Sequence, residues 1–392
     1  MNILIVGGGI AGLSAAIALQ GDGHDITIAE TLDGWKPAGA GLHLPGNAVT
    51  ALRDLGIDQD VADKSCAFPR LDYFDHRDRK LFALETEQLG WPTFQALTRS
   101  DFHEILCARL TTPTIRFGLS VSDISNAPDQ AQVRFTDGTT GSFDLVIGAD
   151  GINSAVRRLV FGPEHVPQPT GYICWRWITD YPFGLTAPKF IIGHGQVILL
   201  MPLGDSRFYI YASTYDPGER IHDLPTSELA AHFARFDGSV CDMLGTIGTD
   251  TVIHEGRLQQ MVMPEWVAGR VVLIGDAAHG MHPIAGQGLN MGIRDVAALA
   301  EILVEARRLG RDIGGSDVLA EYEQWRRFDN TVMLAVTDVT NRLFSNDVAP
   351  VRWARDIGLA VVQKIPPLKK TFMSHAMGYA GTLPRLMQGK PL

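Results

Sequence analysis

The chain has 392 residues, which is enough for two or three domains with large cores. Hydrophobic residues make up 45% and charged residues 20%, which is the composition of an ordinary globular protein. The net charge of −10, together with scattered Lys and Arg, argues against a nucleic-acid partner.

Hydropathy and cysteine spacing give expectations about the cellular location of the protein. No apolar stretch reaches the roughly 18 residues that a membrane-spanning helix needs, and residue 1 leads directly into a strand, so we expect neither a transmembrane segment nor a signal peptide. The cysteines lie far apart without a C-x-x-C pair, at Cys66, Cys107, Cys174 and Cys241. We therefore expect reduced thiols, no metal site and a cytoplasmic location.

The first thirty residues carry the clearest motif. An apolar run over 3–6 predicts a buried strand, residues 13–19 predict a helix, and a second apolar run over 26–29 ends on Glu30. Between strand and helix stands a G-x-G-x-x-G turn, formed by Gly7, Gly9 and Gly12. This arrangement predicts a dinucleotide-binding βαβ unit, in which the turn approaches a pyrophosphate and Glu30 accepts hydrogen bonds from a ribose.

Beyond this unit, hydrophobic periodicity and turn residues predict further helices and strands. In chain order, the expected elements are a glycine-rich loop and helix over 37–56, a strand over 71–84, a helix capped by Ser100, strands over 115–145 with an Asp137-Gly138 hairpin turn, a strand over 145–147, an antiparallel sheet over 171–214, a helix over 226–248, a strand over 271–274 and helices from about Gly288 to Leu343. Prolines at several positions after residue 350 predict a broken helical tail.

Three of the predicted strands end close to an acid, at Glu30, Asp150 and Asp276. Ligands of open parallel sheets bind beyond the carboxyl ends of the strands, so these acids are placed to meet on one ligand. A second nucleotide-facing acid is more than a simple dehydrogenase needs.

Three ordered segments now carry a resemblance. They are Gly7–Gly12; Gly148–Arg157; and Gly275–His279 with Pro283, Gly286–Gly288 and Asn290. Together with Arg99 in the segment 97–102, they resemble the single-component FAD-dependent aromatic hydroxylases, the family of para-hydroxybenzoate hydroxylase, over nearly the whole chain. The resemblance implies an α/β fold: a Rossmann-like FAD-binding domain (1–70, 98–165 and 260–345), an inserted antiparallel-sheet substrate domain (71–97 and 166–259) and a C-terminal helical tail (346–392).

The resemblance also implies roles for individual residues. Those expected to hold FAD are Gly7, Gly9, Ala11, Gly12 and Leu13 at the pyrophosphate, Glu30 at the adenosine ribose, Gly41, Arg99 along the ribityl–phosphate chain, the backbone of Val121 at the adenine, Asp150 in a motif serving FAD and NAD(P)H, Asp276 at the ribityl hydroxyls, and Gly286, Gln287, Gly288, Leu289 and Asn290 at the pyrimidine side of the flavin. No His or Cys stands in a pattern that demands a covalent link, so non-covalent FAD is expected.

The implied activity is that of a monooxygenase. NADH or NADPH reduces the FAD, molecular oxygen adds at the flavin C4a atom, and the resulting hydroperoxide hydroxylates a small, phenol-like aromatic or heteroaromatic ring. A phenol needs its proton removed or polarised. The candidates for this step are His43, His194, Tyr211 and His282, and we favour His282 because its neighbour Pro283 is expected near the reactive edge of the flavin. His279 is expected to tie strand to loop, and Arg157 to pair with a surface acid.

Several alternatives stay open at this point. An FAD-dependent reductase or dehydrogenase would transfer no oxygen, and a nucleotide sensor would not turn over NAD(P)H. A flavin-dependent halogenase is disfavoured because the run from Trp175 to Thr179 lacks the proline and spacing of W-x-W-x-I-P. A peripheral membrane role through an apolar, Lys-bearing surface at Val361–Phe372 is disfavoured because a proline pair interrupts it. The protein is expected to be a monomer or homodimer.

Overall fold

The computed structural model describes residues 1–21, 23–35, 41–180, 184–390 and 392. In chain order, the strands are β1 (Asn2–Val6), β2 (Asp25–Glu30), β3 (Gly41–Leu44), β4 (Cys66–Phe68), β5 (Arg70–Asp75), β6 (Lys80–Glu85), β7 (Phe94–Thr98), β8 (Thr114–Phe117), β9 (Val121–Asn126), β10 (Ala131–Phe135), β11 (Thr140–Phe143), β12 (Leu145–Gly148), β13 (Gln168–Asp180), β14 (Lys189–Gly193), β15 (Gln196–Gly204), β16 (Arg207–Tyr215), β17 (His254–Gln260), β18 (Val267–Ala268) and β19 (Val271–Leu273). The helices are α1 (Ile10–Gln20), α2 (Gly46–Asp54), α3 (Asp58–Lys64), α4 (Thr86–Leu89), α5 (Arg99–Arg109), α6 (Ala155–Phe161), α7 (Thr226–His232), α8 (Ser239–Leu244), α9 (Asp276–His279), α10 (Gln287–Arg308), α11 (Ser316–Phe344), α12 (Ala349–Lys364) and α13 (Pro366–Ala376).

A six-stranded sheet in the order β18-β19-β12-β1-β2-β8 places the three acids at one edge. All neighbours pair in parallel except β18 and β19. Strands covered on both faces read as continuous apolar runs, which is why Ile3, Leu4 and Ile5 are fully buried. The carboxyl ends of β2, β12 and β19 therefore carry Glu30, Asp150 and Asp276 at the same side, as predicted.

A seven-stranded sheet in the order β17-β13-β16-β15-β14-β5-β6 forms the second layer. It is antiparallel except where β14 pairs in parallel with β5. Side chains alternate between its faces, so Trp175 and Trp177 pack with Phe233 below α7. The opposite face carries Tyr209 and Tyr211. The two tryptophans that imitate a halogenase motif are thus core residues on the side that faces the short helices.

The structure corrects three local expectations. The segment 37–56 contains strand β3, which pairs with β7, where a loop was expected; residues 36–40 lie outside the described residues. Helix α5 is capped by Thr98, whose hydroxyl accepts a hydrogen bond from the N–H of Asp101 at 3.0 Å, so Ser100 is wrong as the cap. The helix expected over 226–248 is divided into α7 and α8, because Gly238 takes a positive φ of 59° between them.

The tail is a broken helix, as predicted. The pair Pro366-Pro367 ends α12 and occupies the first turn of α13, where proline is tolerated. Leu359 on α12 and Met373 on α13 join the core beneath the seven-stranded sheet. Of the helices in the described ranges, none has the length and apolar character to cross a membrane.

Candidate active site

The glycine turn after β1 owes its shape to two close contacts. Gly7 has φ +107°, and a Cβ there would stand 2.5 Å from the carbonyl oxygen of Ala149. A Cβ at Gly12 would stand 2.0 Å from the carbonyl oxygen of Gly7, so α1 packs directly on the turn. A Cβ at Gly9, in contrast, meets nothing within 4 Å. Gly9 therefore borders open space at the start of α1, where no side chain caps the helix.

Glu30 closes this turn through its carboxylate. One oxygen accepts a hydrogen bond from the N–H of Gly8 at 2.7 Å, and the other accepts from the N–H of Leu32 at 2.9 Å. Its backbone carbonyl also accepts from the N–H of Leu119 at 2.9 Å, two residues before Val121 begins β9. Glu30 and Val121 thus lie in one neighbourhood, as the roles at the adenosine end require.

The Asp150 carboxylate is used within the protein. It accepts hydrogen bonds from the N–H groups of Ala155 (2.6 Å) and Val156 (3.1 Å) at the start of α6. Burial raises the pKa of Asp150, and these hydrogen bonds act against that increase. The neighbours Ala149 and Gly151, and not the Asp150 carboxylate, line the cleft. A direct role for Asp150 in binding FAD stays a prediction.

Arg157 is a buried clamp, so the expectation of a surface ion pair was wrong. Its guanidinium donates to the carbonyls of Ile152 (2.6 Å), Ala277 (2.9 Å) and His165 (3.0 Å). Three backbone acceptors satisfy an arginine fork without an acid. Arg157 thereby joins the segment after β12 to α9, which carries Asp276.

A cleft of about 600 Å³ lies between the glycine turn, α9 and α10. Of the predicted FAD residues, it is lined by Gly9, Ala11, Arg99, Asp276, Gly288 and Leu289. Leu13, by contrast, is fully buried in the core, where its side chain supports the turn from behind. Two helices, α1 and α10, begin at this cleft without a side-chain cap, so their first N–H groups are available to negatively charged ligand atoms.

Asp276 and Arg99 are the charged side chains of the cleft. Asp276 begins α9, is accessible from the cleft, and accepts no hydrogen bond from the described part of the chain. The surrounding protein raises the pKa of Asp276 by desolvation, against the opposing effect of His279 and Arg99. Desolvation likewise lowers the pKa of Arg99, although Asp276 favours its charged form. The pair therefore offers both an acceptor and a donor to a polar chain.

A buried network behind the cleft holds Asp276 in place. Asp295 on α10 accepts hydrogen bonds from the N–H of Gly275 (3.0 Å), the Nε of Arg326 (3.0 Å) and the Nε2 of His279. Burial alone would raise the pKa of Asp295, but His279 and Arg326 lower it below its usual value. His279 is fully buried in this network, which agrees with the structural part expected for it.

A wider cavity of about 1300 Å³ continues from the cleft towards the seven-stranded sheet. The predicted residues on it are Gly41, His43, Arg99, Tyr211, Asp276, Pro283, Gly286, Gly288 and Leu289. An apolar recess adjoins it, lined by His43, Leu71, Tyr73, Pro188, Phe190, Leu199, Met201, Pro283, Gly286 and Met377. Pro283 and Gly286, just before α10, border both the wider cavity and the recess.

The proposed acid–base residues separate into two groups. His43 and Tyr211 line the wide cavity, whereas His282 lines a different cleft of about 1010 Å³ and packs edge-on against the ring of Tyr172 at 4.9 Å. The Nδ1 of His282 accepts a hydrogen bond from the N–H of Ile284 at 3.2 Å. His194 packs against His76 at 4.4 Å, away from these cavities. Consecutive residues His282 and Pro283 thus face opposite ways.

Burial determines the protonation states of His43 and Tyr211, the two acid–base candidates that line the wide cavity. It lowers the pKa of His43 to about 4, so the imidazole is neutral at physiological pH. The Nε2 of His43 finds no hydrogen-bond partner in the described part of the protein. Burial raises the pKa of Tyr211 well above its ordinary value, so this phenol stays protonated, and its hydroxyl has no hydrogen-bond partner in the described part of the protein.

The side chains of Gln287 and Asn290 point away from the cleft. Both are fully buried, and the Nδ2 of Asn290 donates to the Oε1 of Gln287 at 2.6 Å. A Cβ at Gly378 would stand 2.7 Å from that Nδ2, so the two amides pack against the tail. Their predicted contribution to FAD binding is thereby limited to the backbone of the first turn of α10.

Two arginines and one tail residue at the cavity were not predicted from the sequence. Arg176 and Arg257 line it from β13 and β17, and Met377 lines the apolar recess. Arg176 was detectable, because it stands between two core tryptophans and strand alternation turns it to the other face. Met377 carries no such signal, since only the fold returns the tail to the sheet.

The residues present fit FAD. Open space at Gly9 and two uncapped helix starts suit a pyrophosphate and a flavin ring, while Asp276 offers unpaired acceptor oxygens to ribityl hydroxyls. The cleft is also continuous in its lining with the wider cavity, through Arg99, Asp276, Gly288 and Leu289. An elongated ligand can therefore lie across both.

Comparison with known proteins agrees with this fit. Residues 1–335 match the family model described as "FAD binding domain". The chain is 34% identical to ubiquinone hydroxylase UbiL of Rhodospirillum rubrum over 100% of this chain and 93% of that protein, and 32% identical to an FAD-dependent urate hydroxylase of Mycolicibacterium vanbaalenii over 76% and 78%. The crystal structure of Klebsiella pneumoniae HpxO complexed with FAD and uric acid has the same fold, with a TM-score of 0.85 at 24% identity over 96% of this chain and 97% of that chain. The chain belongs to the FAD-dependent aromatic monooxygenases, which hydroxylate aromatic or heteroaromatic rings with NAD(P)H and molecular oxygen.

Proposed function

We propose that the chain hydroxylates an electron-rich ring that carries an apolar substituent, such as an alkylated phenol. The observation that carries this proposal is the apolar recess beside Pro283, where the described lining residues are Leu, Phe, Tyr, Pro, Met and Gly together with His43, and include no Lys, Arg, Asp or Glu. An unpaired carboxylate of a substrate would be costly to bury there. The likeness to a ubiquinone hydroxylase over nearly the whole chain supports the same substrate class.

In this proposal His43 orients the ring. Its imidazole stands beside Phe94 (5.1 Å) and Phe68 (5.9 Å), which fix the ring plane, and its buried Nε2 has no hydrogen-bond partner in the described part of the protein. Because burial keeps His43 neutral, this nitrogen accepts a hydrogen bond from the ring hydroxyl and makes the ring more electron-rich. The sequence pattern still makes His282 a candidate for this role. Its ring packs against Tyr172 instead of lining the recess, which favours His43.

FAD, when bound, supplies the electron transfer from NAD(P)H and the activation of oxygen. The protein positions the cofactor. The glycine turn and Arg99 hold the phosphate and ribityl parts, and Asp276 accepts hydrogen bonds from ribityl hydroxyls. The start of α10 offers N–H groups to the polar edge of the flavin. We propose that the FAD is non-covalent and that NADH or NADPH binds transiently, because the chain has one glycine fingerprint and FAD occupies it.

The experiment measures NAD(P)H absorbance beside an oxygen electrode. Phenols with alkyl chains are compared with phenols that carry a carboxylate in the same position. We expect slow NAD(P)H oxidation alone, strong stimulation by the alkylated series, and a product that is heavier by one oxygen atom from labelled O₂. Preference for the carboxylated series would contradict the proposed substrate class.

A His43→Gln variant tests the orienting residue. General acid–base and hydrogen-bonding assistance of this type is worth about 10²-fold or more, so turnover should fall by that factor while FAD content is retained. The His282→Gln variant is the matched control and should keep most of the turnover. The reverse result would transfer the role to His282.

The setting proposed for this reaction is the cytoplasm, as a monomer or homodimer. The cysteines Cys66, Cys107, Cys174 and Cys241 are all free thiols, which suits a reducing compartment that supplies NAD(P)H. Sedimentation velocity of the FAD-loaded protein tests the assembly state.

A further inference from the structure

The outward face of α12 is apolar from Trp353 to Val361. Trp353 (65% exposed), Ile357 (64%) and Val361 (45%) follow one another at four-residue spacing and so lie on one side of the helix. The other exposed positions between them are small, at Ala354, Gly358 and Ala360. One exposed charged residue, Lys364, follows on the same side at the end of α12.

The apolar face continues past the proline pair. Ile365 follows α12, and Leu368 and Phe372 are exposed on α13. The inner sides of both helices are already used, since Leu359 and Met373 pack into the core of the seven-stranded sheet. The pair of prolines divides the surface between two helices without removing it. We call the exposed set Trp353, Ile357, Val361, Ile365, Leu368 and Phe372 the tail face.

The exposed charged residues of α12 and α13 are both lysines, in a chain of net charge −10. Of the other basic residues of these helices, Arg355 and Lys369 are buried and Arg352 pairs with Asp347 at 3.1 Å. Two of the lysines, Lys364 and Lys370, are exposed beside the tail face. A helix with large apolar side chains on one side and lysines at its edge is the pattern of a segment that lies in a membrane interface.

We propose that the tail face docks on the surface of a lipid bilayer that contains anionic lipids. The apolar side chains would enter the acyl boundary, and Lys364 and Lys370 would meet the headgroups. A second copy of the chain fits less well, because facing tail surfaces would bring their lysines together. The helices are too short in their apolar runs to cross the bilayer, so the association is peripheral.

The position of the tail face gives this docking a use. Met377 follows α13 directly and lines the apolar recess of the active site. The element that meets the membrane is therefore also a wall of the proposed substrate site. A lipophilic substrate could pass from the bilayer to the recess beside this wall, a step that rests on the function proposed above.

Flotation of the FAD-loaded protein with vesicles tests the docking. One set of vesicles contains phosphatidylcholine alone, and the other contains phosphatidylcholine with an equal amount of phosphatidylglycerol. The variant Trp353→Gln/Ile357→Gln/Val361→Gln removes the apolar side chains of α12. The matched control changes three residues of similar exposure elsewhere, Val252 (68%), Val262 (55%) and Leu309 (62%), to Gln.

We expect the wild type and the control to float with the anionic vesicles, and the tail-face variant to lose about tenfold or more of that binding. A Lys364→Gln/Lys370→Gln variant should lose binding to the anionic vesicles at low salt. Absence of flotation of the wild type, or equal flotation of the tail-face variant, would overturn the proposal. A wild-type dimer that the tail-face variant converts to a monomer, without vesicle binding, would assign the face to a second copy and overturn it too.

Turnover separates this proposal from the proposed function. With a water-soluble, short-chain phenol, the tail-face variant should oxidise NAD(P)H as the wild type does. Loss of vesicle binding with normal turnover therefore concerns docking alone. Normal vesicle binding by a protein that oxidises no phenol would refute the function and leave docking in place.

Discussion

Asp295 accepts a hydrogen bond from the N–H of Gly275, the residue immediately before Asp276, at 3.0 Å. The middle of α10 thereby fixes the end of the strand that carries the acid of the cofactor cleft. The same carboxylate also binds His279 and Arg326, so one buried charge joins β19, α9, α10 and α11. The geometry of Asp276 depends on a residue that never reaches the ligand.

The first prediction concerns this buried charge. Asp295→Asn should lower the free energy of unfolding by about 3 kcal/mol, because it removes the fully buried carboxylate that Arg326 and His279 share and leaves Arg326 paired with Asp329 alone. Asp338→Asn is the control, since its ion pair with Arg342 is exposed and worth at most about 1 kcal/mol. Urea unfolding followed by circular dichroism measures both. Equal losses would show that the buried network is not what stabilises the site.

The second prediction separates two glycines of one motif. In Gly12→Ala the new methyl group meets the carbonyl of Gly7, so we expect a loss of about 1–3 kcal/mol in folding stability. In Gly9→Ala the methyl group enters open space in the cleft, so the protein should fold while FAD affinity falls by about tenfold or more. Thermal unfolding without FAD measures the change in folding stability, and an FAD titration measures the change in affinity. Normal FAD affinity of Gly9→Ala would exclude close backbone approach there.

The third prediction concerns Asp276. Charge-assisted hydrogen bonds to ribityl hydroxyls are worth about 1.5–3 kcal/mol, so Asp276→Ala should weaken FAD binding by about tenfold to a hundredfold. Asp276→Asn keeps an acceptor oxygen and should lose less. Asp250→Ala, at an exposed site outside this cleft, serves as the control. An FAD titration that Asp276→Ala leaves unchanged would place the ribityl chain elsewhere.

The fourth prediction is a dependence of stability on pH. Burial lowers the pKa of His43 to about 4 and that of His282 to about 3, from 6.5. As the pH falls below 6.5 the unfolded chain takes up protons that the folded chain refuses, so stability present above pH 6.5 decreases towards pH 4. Each group contributes about 1.4 kcal/mol per pH unit in that window.

Replacing one histidine checks that slope. His282→Asn should make the decrease of the unfolding free energy between pH 6.5 and 4 shallower by about 1.4 kcal/mol per pH unit. The wild type, measured in parallel, is the reference for this slope. Urea titrations at several pH values give both slopes. An unchanged slope in His282→Asn would mean that His282 is charged in the folded protein.

The amino-acid sequence by itself was enough to predict the nucleotide-binding half of the protein. Local spacing is enough for this, because the glycine turn, the helix after it and the strand that ends on Glu30 are neighbours in sequence and in space. The strand before Asp276 was also predictable, because buried parallel strands are continuous apolar runs. Its parallel pairing with β12 brings Asp276 to the same edge of the sheet as Glu30. Family membership followed from the same ordered motifs.

The tertiary structure decided which side chains face the ligand. Asp150 lies in the expected motif, but its carboxylate oxygens accept hydrogen bonds at the start of α6. His282 and Pro283 are adjacent in the chain, but they line different cavities. The recess combines His43, Phe190 and Met377, which lie far apart in the chain. Side-chain direction depends on the strand register and on how the tail packs, and both are set by long-range contacts that local periodicity does not encode. The sequence indicated an apolar, Lys-bearing surface at Val361–Phe372, but only the structure showed that Trp353 and Ile357 on α12 are exposed as well. An apolar helix reads the same in sequence whether it is covered or open to water.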